Sequence, residues 1–200
     1  MAREYVDMHV EKMDERIASK MARMGFRHVC AVDVKALGQQ AELGISVYRK
    51  VFLEVSSRGE LLTLLKNCGK KVVVGVKPLT REALMVAARD GRVGTIMVHG
   101  DMAEIDRHVA KVLKNCLEIT VSEIAESFEE SRRWRNLLKI VKAADFIGTP
   151  IIVSSGASCE TELLPPHQMA YVLAAMRNSN GPDLDAVSET PLKILRQVVG

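Results

Sequence analysis

Short apolar runs alternate with amphipathic stretches along nearly the whole chain. The runs at residues 5–10, 28–34, 51–55, 71–76, 94–99, 117–120 and 150–154 are β-rich and mostly continuous rather than alternating. Continuous runs of this length predict strands buried on both faces, as in a parallel sheet. Between them lie helical patterns. Residues 12–24 form one, ended by Gly25, and residues 59–67 another, ended by Cys68 and Gly69. Residues 80–89 open on Thr80 as N-cap and stop at Asp90 and Gly91. Residues 101–114 open on Asp101, with Glu104 at a capping-box spacing. The stretch 36–48 is ambiguous, because Gly38 and Gly44 weaken a helix. Past residue 154, Pro165 and Pro166 start a helix to about Asn178. Gly181 and Pro182 break it, and residues 183–189 and 191–199 read as two closing helices with Thr190 capping Pro191.

Repeated strand–helix units predict an α/β fold. Seven units suit a closed or nearly closed barrel better than an open doubly wound sheet. A full barrel of eight units takes about 250 residues, so a chain of 200 predicts a trimmed TIM-like (β/α) barrel in one domain, residues 1–200. No G-x-G-x-x-G follows the first strand, which argues against a dinucleotide-binding fold.

Composition narrows the picture. The chain is 48% hydrophobic but only 4% aromatic, so Val, Leu, Ile, Ala and Met must build the core. A net charge of +3 permits an anionic partner without demanding one. Cys30, Cys68, Cys116 and Cys159 are widely spaced with no C-x-x-C, which predicts buried, reduced thiols. The charged N-terminus and the lack of a long apolar run predict a cytoplasmic protein that engages no membrane.

Three places carry candidate chemistry. Asp7, His9 and Glu11 alternate on the first strand, so they share a face, and His99 ends a later one. Asp7 and His9 are candidate metal ligands, against the simpler reading of polar groups at a barrel rim. Only five histidines are present, so a multi-ligand hydrolase centre is poorly supplied. The segment 131–148 is an amphipathic helix. Trp134, Leu137, Leu138, Val141 and Ala144 form its apolar stripe, and Arg132, Arg135, Lys139 and Lys142 fall opposite. With Arg133 these are five basic residues and no acid, either a solvated face or a stripe following a nucleic-acid backbone. Ser154, Ser155 and Gly156, after a buried strand, are candidates for anion contact or for a tight strand exit. No P-loop lysine follows them, and no nucleophile–base arrangement is evident.

Arg132-Arg133-Trp134-Arg135-Asn136-Leu137-Leu138, followed by Gly148-Thr149-Pro150-Ile151-Ile152-Val153-Ser154-Ser155-Gly156-Ala157, resembles the ribonuclease P protein component 3 family of archaea. Met24 to Val29 and Ser188 to Arg196 are similar to the family's early strand entry and its closing helix. The resemblance implies a barrel related to the polymerase and histidinol phosphatase barrels. It also implies a non-catalytic subunit of the ribonuclease P endoribonuclease, supporting a catalytic RNA that removes 5′ leaders from precursor tRNA. Magnesium would serve the RNA, and this chain would bind no cofactor. Its partners would be the ribonuclease P RNA, a small protein subunit, other ribonuclease P proteins and, indirectly, precursor tRNA. Arg132, Arg133, Arg135, Lys139 and Lys142 become the expected RNA or partner contacts. The chain departs from the family at Val121, where relatives place an arginine, and Glu11 stands where metal-binding barrels carry a second histidine. The alternative is a metal-dependent phosphoesterase of the same barrel superfamily; a third reading is a plain scaffold.

Overall fold

A computed structural model describes residues 3–34 and 44–199. Much of the ambiguous stretch that begins at Ala36 lies outside the described residues. Seven parallel strands form one sheet in chain order. They are β1 (Tyr5–Met13), β2 (Phe26–Val34), β3 (Ser46–Val55), β4 (Val73–Pro78), β5 (Thr95–Met97), β6 (Cys116–Thr120) and β7 (Ile151–Ser154). The helices are α1 (Glu15–Arg23), α2 (Arg58–Asn67), α3 (Arg81–Ala87), α4 (Arg107–Val112), α5 (Val121–Phe128), α6 (Ser131–Ile147), α7 (Pro166–Arg177) and α8 (Glu189–Val199). All seven expected strands are present. The barrel closes where β1 meets the chain leaving β7: Val10 bridges Ala157, Gly156 N–H donates to the His9 carbonyl at 2.8 Å, and Glu11 N–H donates to the Ala157 carbonyl at 2.9 Å.

Alternation along the strands sorts the residues. Val29, Leu53, Val55, Val74, Val76, Ile96, Leu117, Ile119 and Val153 face outward into one large core under the helices. A smaller cluster joins Val6, Val73 and Cys116, near strand starts, to Leu192, Ile194 and Leu195 of α8, so α8 stoppers the N-terminal end of the barrel.

Some expected ends move, for identifiable reasons. β1 keeps Lys12 and Met13, and α1 begins after Asp14, whose carboxylate accepts from Ile17 N–H at 2.9 Å. Thr80 caps α3 as expected. The helix expected from Asp101 begins only after Asp106, which accepts from the His108 and Val109 amides. The ion pair with Arg81 holds the Asp106 carboxyl down to about 2, keeping the cap charged. α8 begins at Glu189, so Thr190 lies inside it and Pro191 sits in the first turn, where its missing N–H costs nothing. Cys30 and Cys116 are buried, but Cys68 is half-buried and Cys159 exposed, so the expectation of buried thiols fails at Cys159. Among the described residues no helix is long and apolar enough to cross a membrane.

Candidate functional site

The expected basic helix is α6, running to Ile147 and ended by Gly148 in the left-handed conformation. It buries Leu137, Ile140, Val141 and Ala144, with Trp134 and Leu138 half-covered. Its first turns do two different jobs. Arg133 and Asn136 point at the chain leaving β5. Asn136 donates its side-chain amide to the carbonyls of Gly100 and Met102, both at 2.9 Å. Arg133 lies between Glu123 at 2.8 Å, Asp101 at 3.3 Å and Glu126 at 3.9 Å. Gly100 is pinned from both sides, its N–H donating to Glu123 at 2.9 Å. A Cβ there would stand 2.5 Å from the Arg133 Cβ. These bonds take the backbone that the sequence would have coiled into the first turn of α4, and they fix residues 100–104 as a rigid loop.

Arg132, Arg135 and Lys139 instead face outward across that loop. With Gly100, Asp101, Met102, Ala103, Glu104 and Asn136 they line an open cleft of about 500 Å³. Asp101 already serves Arg133, and Glu104 reaches Lys139 at 3.6 Å with both side chains largely exposed. Such a surface pair is weak and readily exchanged. Arg132, Arg135 and Lys142 have no carboxylate within ion-pair distance among the described residues. The cleft therefore offers two arginines, Arg132 and Arg135, that no carboxylate holds among the described residues, suited to a polyanion. Of the five expected contact residues, three line the cleft and Lys142 lies exposed farther along α6. Arg133 is spent holding the loop.

The barrel interior is a second polar region. Lys50 and Glu118, facing each other across the lumen, are fully buried and paired at 2.6 Å. Lys50 also donates to the Met8 carbonyl at 2.8 Å, and Ser154 Oγ donates to Glu118 at 2.6 Å. Burial, the largest influence, would raise the Glu118 carboxyl, but the Lys50 ammonium, the neighbouring His9 and the Ser154 hydroxyl together outweigh it and hold Glu118 below its usual range. Gly75 makes room for the lysine, since a Cβ there would lie 2.6 Å from Lys50 Cε. Neither Lys50 nor Glu118 is singled out by the sequence, although a charged residue in the middle of a buried strand is the available signal.

At the C-terminal mouth, His9, Glu11, Lys77, His99, Thr120, Glu123 and Glu126 line a cavity of about 170 Å³. Asp7 does not join them. The β1 register shifts between Asp7 and Val10, and Asp7 Oδ1 accepts from the amides of His9 and Ser155 at 3.1 Å each. Burial raises the Asp7 carboxyl to about 6 against those bonds, and its Oδ2 has no partner. His9 Nε2 meets Glu11 at 2.6 Å, and His99 Nε2 meets the Pro78 carbonyl at 2.8 Å. Burial lowers the His99 pKa despite that bond. Among the described residues no three His, Cys, Asp or Glu side chains converge as a metal site would require. The anion candidates turn inward as well: Ser154 binds Glu118, Ser155 N–H binds Asp7, and Gly156 N–H binds the His9 carbonyl. The segment works as the strand exit that closes the barrel.

No protein-family model matches the chain. The curated ribonuclease P protein component 3 of Aeropyrum pernix is 27% identical over 136 residues, covering 65% of this chain. The chain matches 64% of that relative's length, less than two thirds of it. Among solved structures, a chain in the cryo-EM structure of archaeal ribonuclease P with mature tRNA aligns with a TM-score of 0.73 at 14% identity, covering 96% of this chain and 90% of that one. The A. niger ochratoxinase aligns at 0.63 and 12% identity, covering 98% and 72%. These likenesses establish a shared barrel fold.

Proposed function

We propose that this chain is a protein subunit of ribonuclease P, supporting a catalytic RNA as it removes 5′ leaders from precursor tRNA. The carrying observation is the braced cleft beside α6, where Arg132 and Arg135 stand without carboxylate partners among the described residues. The name of the Aeropyrum pernix relative and the barrel shared with an archaeal ribonuclease P chain support the same reading. In this reading the bond-breaking chemistry belongs to the RNA and its magnesium, and this chain holds no cofactor. It belongs to the endoribonuclease complex as a non-catalytic member, in the cytoplasm, beside a small protein subunit. Arg132, Arg135 and Lys139 neutralise phosphates and release counterions. Arg133 and Asn136 keep the opposite wall in place, so little ordering is needed on binding.

The test is precursor-tRNA cleavage by the cognate RNA and small protein subunit at limiting magnesium, with and without this chain. Cleavage that depends on the chain is the expected result; indifference to it refutes the reading. The rival metal-dependent phosphoesterase draws on the mouth, where His9 and His99 share a cavity and His9 Nδ1 has no partner. Against it, the Lys50 ammonium already supplies the positive charge that Glu118 needs. Stoichiometric transition metal in purified protein, lost in His9→Ala, would favour the rival.

A further inference from the structure

Phe146 is 91% exposed, the most exposed of the large hydrophobic side chains among the described residues. The chain spends few aromatics, and this one packs on nothing. Its position on α6 gives it company. At about 100° per residue, Arg132, Arg135, Lys139, Lys142 and Phe146 fall within an arc of roughly 80° on one face. At 1.5 Å per residue that stripe is about 21 Å long, with the cations first and the aromatic at its end. The acid beside Phe146 does not spoil the field. Asp145 is held by Arg177 of α7, with contacts of 2.7 to 3.1 Å.

We infer that this face of α6 binds an unpaired stretch of RNA, its phosphates along the cations and one base stacked on Phe146. Charge complementarity selects a polyanion, since Arg132, Arg135 and Lys142 lack ion-pair partners among the described residues. An exposed ring at the end of a basic stripe suits a splayed base, because every base offers a π-face and stacking tolerates any sequence. A base inside a duplex cannot use the ring, as both its faces are already stacked on neighbouring pairs. The inference rests on the ribonuclease P reading for which RNA is met, and adds the strand state and the residue that senses it.

The test is fluorescence anisotropy of the full chain with a short unstructured RNA and with a loop-free duplex of the same length, across a salt series. Wild-type protein should prefer the unpaired RNA. Phe146→Ala should weaken that binding roughly fivefold to a hundredfold and abolish the preference, leaving the salt slope unchanged. Phe146→Trp should retain binding, and Phe146→Leu should not rescue it. Lys142→Ala should lower the salt slope by about 0.7 and keep the preference. Unchanged RNA affinity in Phe146→Ala, full rescue by leucine, or no measurable RNA binding by the wild-type chain each overturns the inference. So does a Phe146→Ala defect confined to assembly with the small protein subunit, which would make this a protein-docking face. Chain-dependent precursor-tRNA cleavage with an indifferent Phe146 refutes this inference alone. Indifference of cleavage to the chain, with Phe146-dependent RNA binding intact, refutes the subunit reading alone.

Discussion

The lumen and the outer face of α6 both carry charge, but they dispose of it in opposite ways. In the lumen, Lys50, Glu118 and Ser154 satisfy one another out of reach of water. On α6, Arg132 and Arg135 have no ion-pair partner among the described residues, while the neighbouring Arg133 is held by Glu123 and Asp101. A barrel of this kind usually places its chemistry at the C-terminal mouth. Here the mouth holds histidines whose Nε2 atoms are engaged, and the available charge lies outside, along a helix. Charge within the barrel is paired, and the unpaired charge outside it is free for a partner.

Perturbing the lumen should change stability, and perturbing the stripe should change binding. The largest effect is expected from Lys50→Met, which leaves Glu118 buried without its cation. Urea unfolding should show a loss of about 3–5 kcal/mol, much of it recovered in Lys50→Met with Glu118→Leu. Asp7 comes next. Its folded pKa of about 6 lies above the unfolded value of 3.8, so its contribution to stability is greatest below the lower value and is lost as pH rises through 6. Asp7→Asn should therefore be more stable than wild type at pH 7.5, by up to about 3 kcal/mol. The advantage should shrink as both are titrated from about pH 7 toward 4. A constant difference between the two midpoints would show that Asp7 is not strained by burial.

Gly100→Ala tests the join between the regions. Its Cβ would press on Arg133 and Ser127, so a loss of about 1–3 kcal/mol and weaker RNA binding should appear together. Stability lost without any change in binding would separate the loop from the cleft. The smallest stability effect belongs to Arg132→Ala with Arg135→Ala: unfolding within about 0.5 kcal/mol of wild type. The logarithmic salt slope for single-stranded RNA should nevertheless fall by about 1.4.

Each strand carries a short apolar run, so all seven were legible in the sequence, although the half-exposed β3 begins at Ser46, ahead of the run at 51–55. So was α6, whose stripe and terminal glycine are local features. What escaped depends on distant partners. Asp101 has the spacing of a helix cap, but Asn136, more than thirty residues on, binds the carbonyls of Gly100 and Met102 on either side of it and holds the chain as a loop. Arg132 and Arg133 are indistinguishable by type, and it is the carboxylates of Glu123, Asp101 and Glu126 across the gap that assign Arg133 to the scaffold. Lys50 and Glu118 lie 68 positions apart, so each looks like a stray charge until the barrel brings them together. Asp7, His9 and Glu11 share a face in an ideal strand, and the irregular β1 register separates Asp7 from the other two.

The most direct test is precursor-tRNA cleavage by the reconstituted complex at limiting magnesium, comparing wild type, Arg132→Ala with Arg135→Ala, and Asp7→Asn. Chain-dependent cleavage that is lost in the arginine variant and kept in Asp7→Asn is the predicted result. Cleavage that survives the loss of both arginines but fails in Asp7→Asn would contradict the account, because it would return function from the helix face to the lumen.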